Sequence, residues 1–322
     1  ILAKILVNKG ITEKEDIDLF VNPTRKDFYD PFLMPDMEIT VNRILKAIED
    51  KEKIIIYGDY DADGITSTTV LKNFLEERGL EIGTYIPNRL DEGYGLNKNA
   101  IKSIYDQGYR LIITVDCGIS GTEEIEYANS LGIETLITDH HEPTEVLPNA
   151  LAVVDAKRKD NKYPFNQLAG VGVVFKLIQA ISIKLNLEEK EFLKYLDIVC
   201  IGTISDIVPL VDENRVIAKL GLKLIAQTKN IGLKALLEVI GFSNIDSSAI
   251  SFGVAPRINA CGRMGNEKVA LDLFLSKDYA EAKKLAIRLN EYNIERQTIE
   301  KQIFDEAVQK VEANEKNKTC VI

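Results

Sequence analysis

The strongest chemical signal in this sequence is an alternating run of three aspartates. Asp59, Asp61 and Asp63 directly follow the apolar stretch 54–57, and Gly64 comes next. Three carboxylates this close together repel one another unless a cation lies among them. Oxygen ligands of this kind suit Mg²⁺, Mn²⁺ or Ca²⁺. The run therefore indicates a divalent-cation site, although a solvated acidic turn explains it equally well when it is taken alone.

The same run matches the first half of a calcium-binding loop, which has the pattern D-x-D-x-D-G. Such a loop needs a bidentate glutamate at its last position and a helix before its first. The last position is Val70 here, and the residues before Asp59 are typical of a strand. We therefore reject the calcium loop and expect a different kind of cation site.

Three further segments end in residues that can bind a cation. Asp116 follows an apolar stretch, and Asp139, His140 and His141 follow the next one along the chain. The sequence holds no other histidine, and an adjacent pair beside an aspartate at a strand end is seldom structural. Asp206 lies at the end of an apolar stretch that we predict to be a helix. With the aspartate run, these residues suffice for two cations, and the imidazole favours Mn²⁺ over Mg²⁺.

The segments that position these residues alternate between short apolar strands and helices. This alternation predicts a parallel five-stranded sheet flanked by helices, because near-continuous apolar strands are buried on both faces. The predicted strands are 54–57, 82–87, 111–115, 134–138 and 150–154, and the helices between them are 67–78, 97–107 and 123–131. In such sheets, ligands bind outside the carboxyl ends of the strands. The aspartates and histidines should therefore meet at one edge of the sheet.

The sequence after about residue 168 is mostly helical. The predicted helices are 171–185, 188–201, 215–228, 232–240 and 279–311. The last would span roughly 50 Å at about 1.5 Å per residue, which is typical of a connector between domains. The final residues, 319–322, resemble a strand that is cut short. We divide the chain into an N-terminal helical segment (1–45), an α/β domain (46–212), its helical extension (213–277), a connector helix (278–316) and the start of a second domain (317–322).

The composition limits the class of protein. No stretch of the 322 residues approaches the roughly 18 to 20 apolar residues of a membrane span. The four cysteines are scattered without a C-x-x-C pair, which excludes a zinc ribbon and favours a reduced, cytoplasmic setting. The net charge of −10 argues against a protein that coats nucleic acid nonspecifically. It does not exclude a nuclease, because bound cations cancel the charge of the carboxylates that hold them.

Several motifs in order resemble those of the DHH phosphoesterase superfamily. They are Tyr57-Gly58-Asp59-Tyr60-Asp61-Ala62-Asp63-Gly64, Val115-Asp116-Cys117-Gly118, Asp139-His140-His141 and Gly202-Thr203-Ile204-Ser205-Asp206-Ile207-Val208-Pro209-Leu210. Two segments resemble in particular the branch of 5′→3′ single-strand-specific DNA exonucleases. They are the first motif and the later segment Arg257-Ile258-Asn259-Ala260-Cys261-Gly262-Arg263. Most members of the superfamily that act on small molecules carry a histidine at the position of Tyr57. The tyrosine found here fits the exonuclease branch.

The resemblance implies a role for each matching residue. Two Mn²⁺ or Mg²⁺ ions would be held by Asp59, Asp61, Asp63, Asp116, His140 and Asp206, with Asp116 bridging and Asp59 either a ligand or a support. Asp139 would orient His140, as carboxylates commonly do for metal-bound imidazoles. The residues that would bind phosphate or assist the reaction are His141, Arg257, Asn259 and Arg263, with Arg89 on the terminal phosphate.

Three of these assignments keep a simpler alternative. Arg89, Arg257 and Arg263 offer planar forks that match phosphate geometry, but each could be an exposed loop residue or form an ion pair. Tyr94 could stack on a base, although packing within a turn is the more common explanation. The pattern Gly170-Val171-Gly172 predicts a helix start or close packing rather than a nucleotide-binding loop.

The resemblance implies a metal-dependent exonuclease that degrades single-stranded DNA to 5′-mononucleotides in DNA repair and recombination. We expect a cytoplasmic monomer, for which a helicase and a single-strand-binding protein are candidate partners. One alternative is a phosphodiesterase of the same superfamily that acts on dinucleotides or short oligonucleotides. A third is a non-catalytic replication scaffold, which predicts eroded metal ligands, and none is eroded here.

Overall fold

The central feature of the computed structural model, which describes residues 2–8, 10–242 and 244–313, is a parallel five-stranded sheet. Its strands are β1 (Ile54–Gly58), β2 (Ile82–Tyr85), β3 (Leu111–Val115), β4 (Glu134–Thr138) and β5 (Ala152–Val154). They lie in the order β2-β1-β3-β4-β5, and every neighbouring pair is parallel. The fold class predicted from the sequence is confirmed.

The strand order creates a crevice where the acidic residues should meet. From β1 the chain continues to β2, toward one edge of the sheet. From β3 it continues to β4, toward the opposite edge. β1 and β3 are adjacent and in register from Ile54↔Leu111 to Gly58↔Val115. A crevice opens at the carboxyl ends of two such strands, because their connections diverge.

Helices cover both faces of the sheet and form a region of their own after it. They are α1 (Leu2–Asn8), α2 (Lys14–Val21), α3 (Met37–Asp50), α4 (Ala62–Glu76), α5 (Lys98–Asp106), α6 (Thr122–Ser130), α7 (Gly170–Lys184), α8 (Lys190–Leu193), α9 (Leu196–Ser205), α10 (Asp212–Ile225), α11 (Ile231–Ile240), α12 (Ser247–Ala249), α13 (Ala255–Arg263), α14 (Glu267–Leu275) and α15 (Tyr279–Glu312). Short 3₁₀ turns occur at Arg25–Asp27 and Pro31–Leu33, and a π-helical turn at Ile250–Val254.

Alternate residues of the strands pack into two separate hydrophobic cores, one on each face of the sheet. Ile54 and Ile56 of β1 pack with α3, α4 and α7 on one face. Ile55 and Tyr57 pack with α5 and α6 on the other face. All five residues of β1 are buried, as are all five of β3. This burial on both faces explains why the strands have near-continuous apolar sequences.

The predicted helix 215–228 is observed as α10, which begins and ends three residues earlier, and two other predicted helices differ for local reasons. α4 begins at Ala62 rather than at residue 67, because Asp61 is its N-cap and accepts hydrogen bonds from the backbone of Asp63 and Gly64. The predicted helix 188–201 is two helices, α8 and α9, and the side chain of Asp197 bonds the backbone N–H of Ile198 at the start of the second. Such local side-chain bonds favour a helix start over a helix interior.

α13 and α14 were not predicted as separate helices, because Pro256 and Gly262 break the apolar periodicity. α15 packs its first half against α11 and α13, with Ala282, Ala286 and Leu289 buried. The predicted strand at 319–322 lies outside the described residues, and the division into domains remains a prediction. Within the described ranges, every helix is too short or too polar to cross a membrane.

Candidate metal centre

The loop after β1 brings three carboxylates to the crevice between β1 and β3. Asp59 and Asp63 are buried. Asp61 caps α4, because its Oδ1 accepts hydrogen bonds from the N–H groups of Asp63 at 2.8 Å and Gly64 at 3.1 Å. Its second oxygen takes no part in the cap. The helix cap and the cation ligand can therefore be the same side chain.

The start of α7 fixes the position of Asp63. Its Oδ2 accepts a hydrogen bond from the backbone of Gly170 at 2.6 Å, and its Oδ1 one from Val171 at 2.8 Å. A Cβ atom at Gly170 would lie only 2.6 Å from Oδ1 of Asp116. The residue must therefore be glycine, since the two carboxylates approach the backbone this closely. The predicted helix start and the predicted close packing both apply here.

Asp116 reaches the crevice through an unusual backbone conformation. It follows β3 with a φ of 59°, in the left-handed region that non-glycine residues rarely adopt. Such conformations cost about 1–3 kcal/mol and persist only where the surroundings impose them. Oδ1 of Asp116 lies 3.0 Å from Nε2 of His140, the separation expected of two ligands on one cation.

His140 connects the remaining ligands. Its Nε2 lies 3.8 Å from Oδ2 of Asp63, and its Nδ1 lies 3.7 Å from Oδ2 of Asp206, the C-cap of α9. Three overlapping groups have their ligand atoms within 4.8 Å of one another: Asp59, Asp61 and Asp116; Asp63, His140 and Asp206; and Asp116, His140 and His141. The structure thus brings together all six residues that the sequence predicted as cation ligands.

The free carboxylate oxygens show that this group of residues fits divalent cations. Oδ1 of Asp59 and Oδ1 of Asp116 are buried and have no hydrogen-bond partner among the described residues. A buried carboxylate oxygen without a partner is costly. Bound cations would satisfy both atoms, and a donor set of oxygens with one imidazole nitrogen suits Mg²⁺ or Mn²⁺.

The electrostatics of the site lead to the same conclusion. Burial, together with the neighbouring carboxylates, raises the pKa values of Asp59, Asp63 and Asp206 to about 7. The pKa of Asp116 lies well above its usual range for the same reasons. Burial lowers the pKa of His140, which keeps the imidazole neutral with a lone pair to donate. Positive charge in the crevice would remove the repulsion that opposes ionisation of these carboxyl groups.

Asp139 organises the two histidines. Its Oδ1 accepts the backbone N–H of His140 at 2.7 Å and lies 2.7 Å from Nδ1 of His141, while its Oδ2 accepts the backbone N–H of Ile119 at 2.9 Å. Burial alone would raise the pKa of Asp139, but these hydrogen bonds outweigh it and lower the pKa. The bond to Asp139 raises the pKa of His141. The sequence assigned Asp139 to the ring of His140, whereas its contacts are with the backbone of His140 and the ring of His141.

A cavity of about 250 Å³ lies above the carboxylates. Its lining is Asp59, Tyr60, Asp61, Arg89, Tyr94, Asp116, His141, Asp206, Asn259 and Arg263. Arg89 and Arg263 therefore border the site as predicted. Arg257 is not among the lining residues: its Nε donates to Oδ1 of Asn290 at 2.9 Å and its Nη1 to the carbonyl of Gly253 at 2.8 Å. The first bond joins α13 to α15, and the second reaches the π-helical turn before α13. The role of Arg257 in binding DNA remains a prediction.

Asn259 braces the acidic loop from a distant part of the chain. Its Oδ1 accepts the backbone N–H of Ala62 at 2.8 Å, across 197 positions of sequence. In the same helix, a Cβ at Gly262 would lie 2.8 Å from the carbonyl oxygen of Tyr60. α13 thus fits closely against the loop that carries Asp59, Asp61 and Asp63.

From the sequence, Tyr94 had two alternatives, base stacking or packing within a turn, and Asp155 was not singled out. Tyr94 places its hydroxyl 3.2 Å from Nδ1 of His141 and 3.4 Å from the carbonyl of Asp116, so that it borders the cavity as well as packing in its turn. Asp155 follows β5 and is fully buried, with its Oδ2 lacking a hydrogen-bond partner among the described residues. Burial raises the pKa of Asp155 to about 7. A single aspartate after the fifth strand was the signal available in the sequence.

Comparison with protein families gives one match to this region. The family described as "DHH family, N-terminal domain" matches residues 53–203, which include β1 to β5 and the helices up to most of α9. Every predicted cation ligand except Asp206 lies within the matched segment.

Several known proteins have a similar chain, and those with higher identity share a description. The single-stranded-DNA-specific exonuclease RecJ of Bacillus subtilis (strain 168) is 43% identical over 324 residues, which cover 100% of this chain and 40% of the relative. A crystal structure of exonuclease RecJ bound to manganese superposes with a TM-score of 0.80 at 35% identity, over 86% of this chain and 70% of the other. RecJ from Thermus thermophilus in complex with Mn²⁺ gives a TM-score of 0.80 at 32% identity, over 94% of this chain and 43% of the other.

Proposed function

This chain belongs to the RecJ branch of the DHH family, and from that premise we propose that it is the catalytic part of a metal-dependent 5′→3′ exonuclease. The substrate is single-stranded DNA, and the products are 5′-mononucleotides. The chain spans 40% of the length of its Bacillus relative, so the activity of a whole protein of that length is part of the proposal. The observation that carries the proposal is the convergence of six cation ligands at the carboxyl ends of the strands.

We propose that the six ligands hold two cations. One position is formed by Asp59, Asp61 and Asp116, and the other by Asp63, His140 and Asp206. Asp116 would contribute to both positions, because its Oδ1 also lies 3.0 Å from Nε2 of His140. Mn²⁺ or Mg²⁺ bound there lowers the pKa of a coordinated water and offsets negative charge on the phosphate.

The reaction is an in-line displacement at phosphorus. A water oxygen forms the new bond to phosphorus, and the bond to the 3′ oxygen of the terminal nucleotide breaks, which releases a 5′-mononucleotide. Arg89 and Arg263 border the cavity with guanidinium groups that can bind phosphate oxygens in pairs. His141, held by Asp139 at 2.7 Å, presents its ring to the scissile phosphate.

A strand suits the site better than a dinucleotide does. A second cavity of about 530 Å³ shares Asn259 and Arg263 with the cavity above the carboxylates. The two cavities adjoin at these residues, and we propose that a strand continues from one into the other, which a dinucleotide has no need to do. The dinucleotide phosphodiesterase is therefore the second candidate. The scaffold ranks last, because every ligand is present.

One assay distinguishes these functions. The purified chain is incubated with Mn²⁺ and, in parallel, with a 5′-labelled single strand, the same strand in a duplex, and a dinucleotide. We expect labelled mononucleotide to appear first from the single strand, with the duplex resistant. Rapid cleavage of the dinucleotide beside an intact long strand would instead establish the second candidate.

We further propose that the activity serves DNA repair and recombination in the cytoplasm. A helicase and a single-strand-binding protein are the partners that would supply and hold a single strand for this site. We also propose that the chain acts as a monomer, since the six candidate ligands lie in one chain and need no second copy to complete the site.

A further inference from the structure

Ile207, the residue after Asp206, has a backbone conformation that its side chain disfavours. Its φ is 62°, in the left-handed region, at the position that follows the C-cap of α9. Helices commonly end with one residue in this conformation, which is usually glycine because no Cβ clashes there. A β-branched residue with such a φ is an outlier.

Burial does not compensate for this conformation. The side chain of Ile207 is 87% exposed, so that it gains almost nothing from packing. Among the described residues, the other non-glycine positions with positive φ are all polar or charged: Asp36, Lys51, Asp116, Asn186 and Asp212. Where a local rule is broken without a gain in packing, a functional reason is the first to examine.

The location of Ile207 suggests what that reason is. Its side chain lines the cavity of about 530 Å³ on one side and a cavity of about 350 Å³ on the other. The second cavity also contains His140 and Lys157. Ile207 is therefore an apolar ridge between two cavities, directly beside the cation ligands Asp206 and His140.

The larger cavity combines apolar and cationic residues. Phe252, which is 82% exposed, and Pro256 line it together with Ile207. Arg263 and Arg296 bring guanidinium groups to it, although that of Arg296 also pairs with Glu300 at 2.7 Å. In a chain of net charge −10, such a groove next to a phosphate-cleaving site matches one occupant, a nucleic-acid strand. Its phosphates would meet the arginines and its bases the apolar surfaces.

We propose that Ile207 is a substrate-positioning residue whose side chain packs against the face of a nucleobase beside the scissile phosphate. Proteins that bind the DNA minor groove insert side chains such as isoleucine between base steps, which shows that an aliphatic side chain can pack on the face of a base. The contact holds the terminal nucleotide in line with the metal centre, and it requires a base that is free of its complementary strand. The inference rests on the proposed exonuclease function and names a further residue of the same site.

The test compares Ile207→Gly with a matched backbone control. Lys51 has the same left-handed conformation after α3, with a φ of 52°, and precedes β1 at the opposite edge of the sheet. Both glycine variants should unfold at a temperature no lower than the original chain, because glycine accepts this φ without strain. On a single strand, Ile207→Gly should raise KM about tenfold, in line with the contribution of one base contact. Lys51→Gly should leave KM and kcat unchanged. Ile207→Val, which keeps an aliphatic side chain, should have a KM close to that of the original chain.

A strand without bases at its first three 5′ positions completes the test. On this strand, the KM of the original chain should rise to the value that Ile207→Gly has on the normal strand. The KM of Ile207→Gly should be the same on both strands. If Ile207→Gly and the original chain had the same KM on the normal strand, the proposal would be overturned. It would also be overturned if Ile207→Gly raised KM equally on the normal strand and on the strand without bases and also lowered the unfolding temperature. Absence of any strand cleavage by the original chain would overturn the exonuclease function itself, and the proposal with it.

Discussion

Among the individual residues, Asp116 is subject to the most constraints. Its φ of 59° is unfavourable for an aspartate, its carboxyl group is buried, and its Oδ1 lacks a hydrogen-bond partner among the described residues. Each of these costs free energy, and nothing but the cation site benefits from them. We therefore propose that the position of Asp116 serves a bound cation rather than the stability of the fold.

Replacement of Asp116 tests this interpretation. Asp116→Asn keeps the shape of the side chain but removes a charged, bridging ligand, so that activity should fall at least about 100-fold, beyond the 10–100-fold typical of residues that support ligands. The unfolding temperature should not fall. Asp106→Asn, at an exposed carboxylate that pairs with Lys102, is the control and should be fully active. Undiminished activity of Asp116→Asn would place the site elsewhere.

The residue types in the sequence predicted which candidate donors the fold brings together, but not every contact. Asp59, Asp116 and His140 could be assigned because each follows an apolar strand, and parallel strands end at one edge. The hydrogen-bond partner of the Arg257 side chain could not be predicted from such a pattern, since that partner, Asn290, lies 33 residues away on another helix. Tyr94 was equally ambiguous, because its contact with His141 spans 47 residues.

Among the elements, the start of α7 matters most for the site. The backbone of Gly170 and Val171 holds Asp63, and the missing Cβ at Gly170 makes room for Asp116. Gly170→Ala should therefore weaken Mn²⁺ binding at least about tenfold, with calorimetric titration as the measurement.

Gly232→Ala is a control for Gly170→Ala with the same chemical change. Its Cβ would collide with the carbonyl oxygen of Leu273, so that it should destabilise the contact of α11 with α14 by about 1–3 kcal/mol. The affinity of its folded fraction for Mn²⁺ should be normal. Equal Mn²⁺ affinities for Gly170→Ala and the original chain would show that α7 does not position the ligands.

α7 is also fixed to the rest of the fold by a buried ion pair. Nζ of Lys176 lies 2.9 Å from Oε1 of Glu213 in α10, and both side chains are fully buried. Lys176 also donates to the carbonyl of Tyr29 at 2.7 Å, and Tyr163 donates to the second oxygen of Glu213. The pair therefore joins α7, α10 and the N-terminal segment.

Removal of one member of this pair should be costly. Lys176→Met leaves a buried carboxylate without its cation and should destabilise the fold by about 3–5 kcal/mol in urea unfolding. The double variant Lys176→Met/Glu213→Leu should recover part of this loss. Lys98→Met, in an exposed pair with Glu123, should have no measurable effect. A similar stability of Lys176→Met and the original chain would exclude this role for the pair.

The elements themselves were predictable to different degrees. The strands were identified because β1 and β3 are continuous apolar runs that are buried on both faces. The start of α4 was missed, since its first turn contains Asp63 and Gly64 rather than apolar residues at helical spacing. The contact of α13 with the acidic loop, through Asn259 and Ala62, depends on tertiary packing that no local pattern encodes.

At the scale of the whole molecule, the net charge of −10 opposes the binding of a polyanion. Among the described residues that line the cavity above the carboxylates, the arginines are Arg89 and Arg263, which are fewer than its aspartates Asp59, Asp61, Asp116 and Asp206. Removal of divalent cations with EDTA should therefore weaken the affinity for a single strand at least about tenfold, or about 1.4 kcal/mol. Fluorescence anisotropy of a labelled strand with slowly cleaved phosphorothioate linkages measures this, with Na⁺ at matched ionic strength as the control. Equal affinity in EDTA and in Mn²⁺ would mean that the strand binds away from the cation site.

The central claim is that this crevice holds two divalent cations, and anomalous scattering from crystals of the chain soaked in Mn²⁺ tests it most directly. We expect two strong peaks, one among Asp59, Asp61 and Asp116 and the other among Asp63, His140 and Asp206. Crystals of Asp116→Asn should lose at least one of them. A single peak, or peaks only outside these two groups of residues, would contradict the two-cation site.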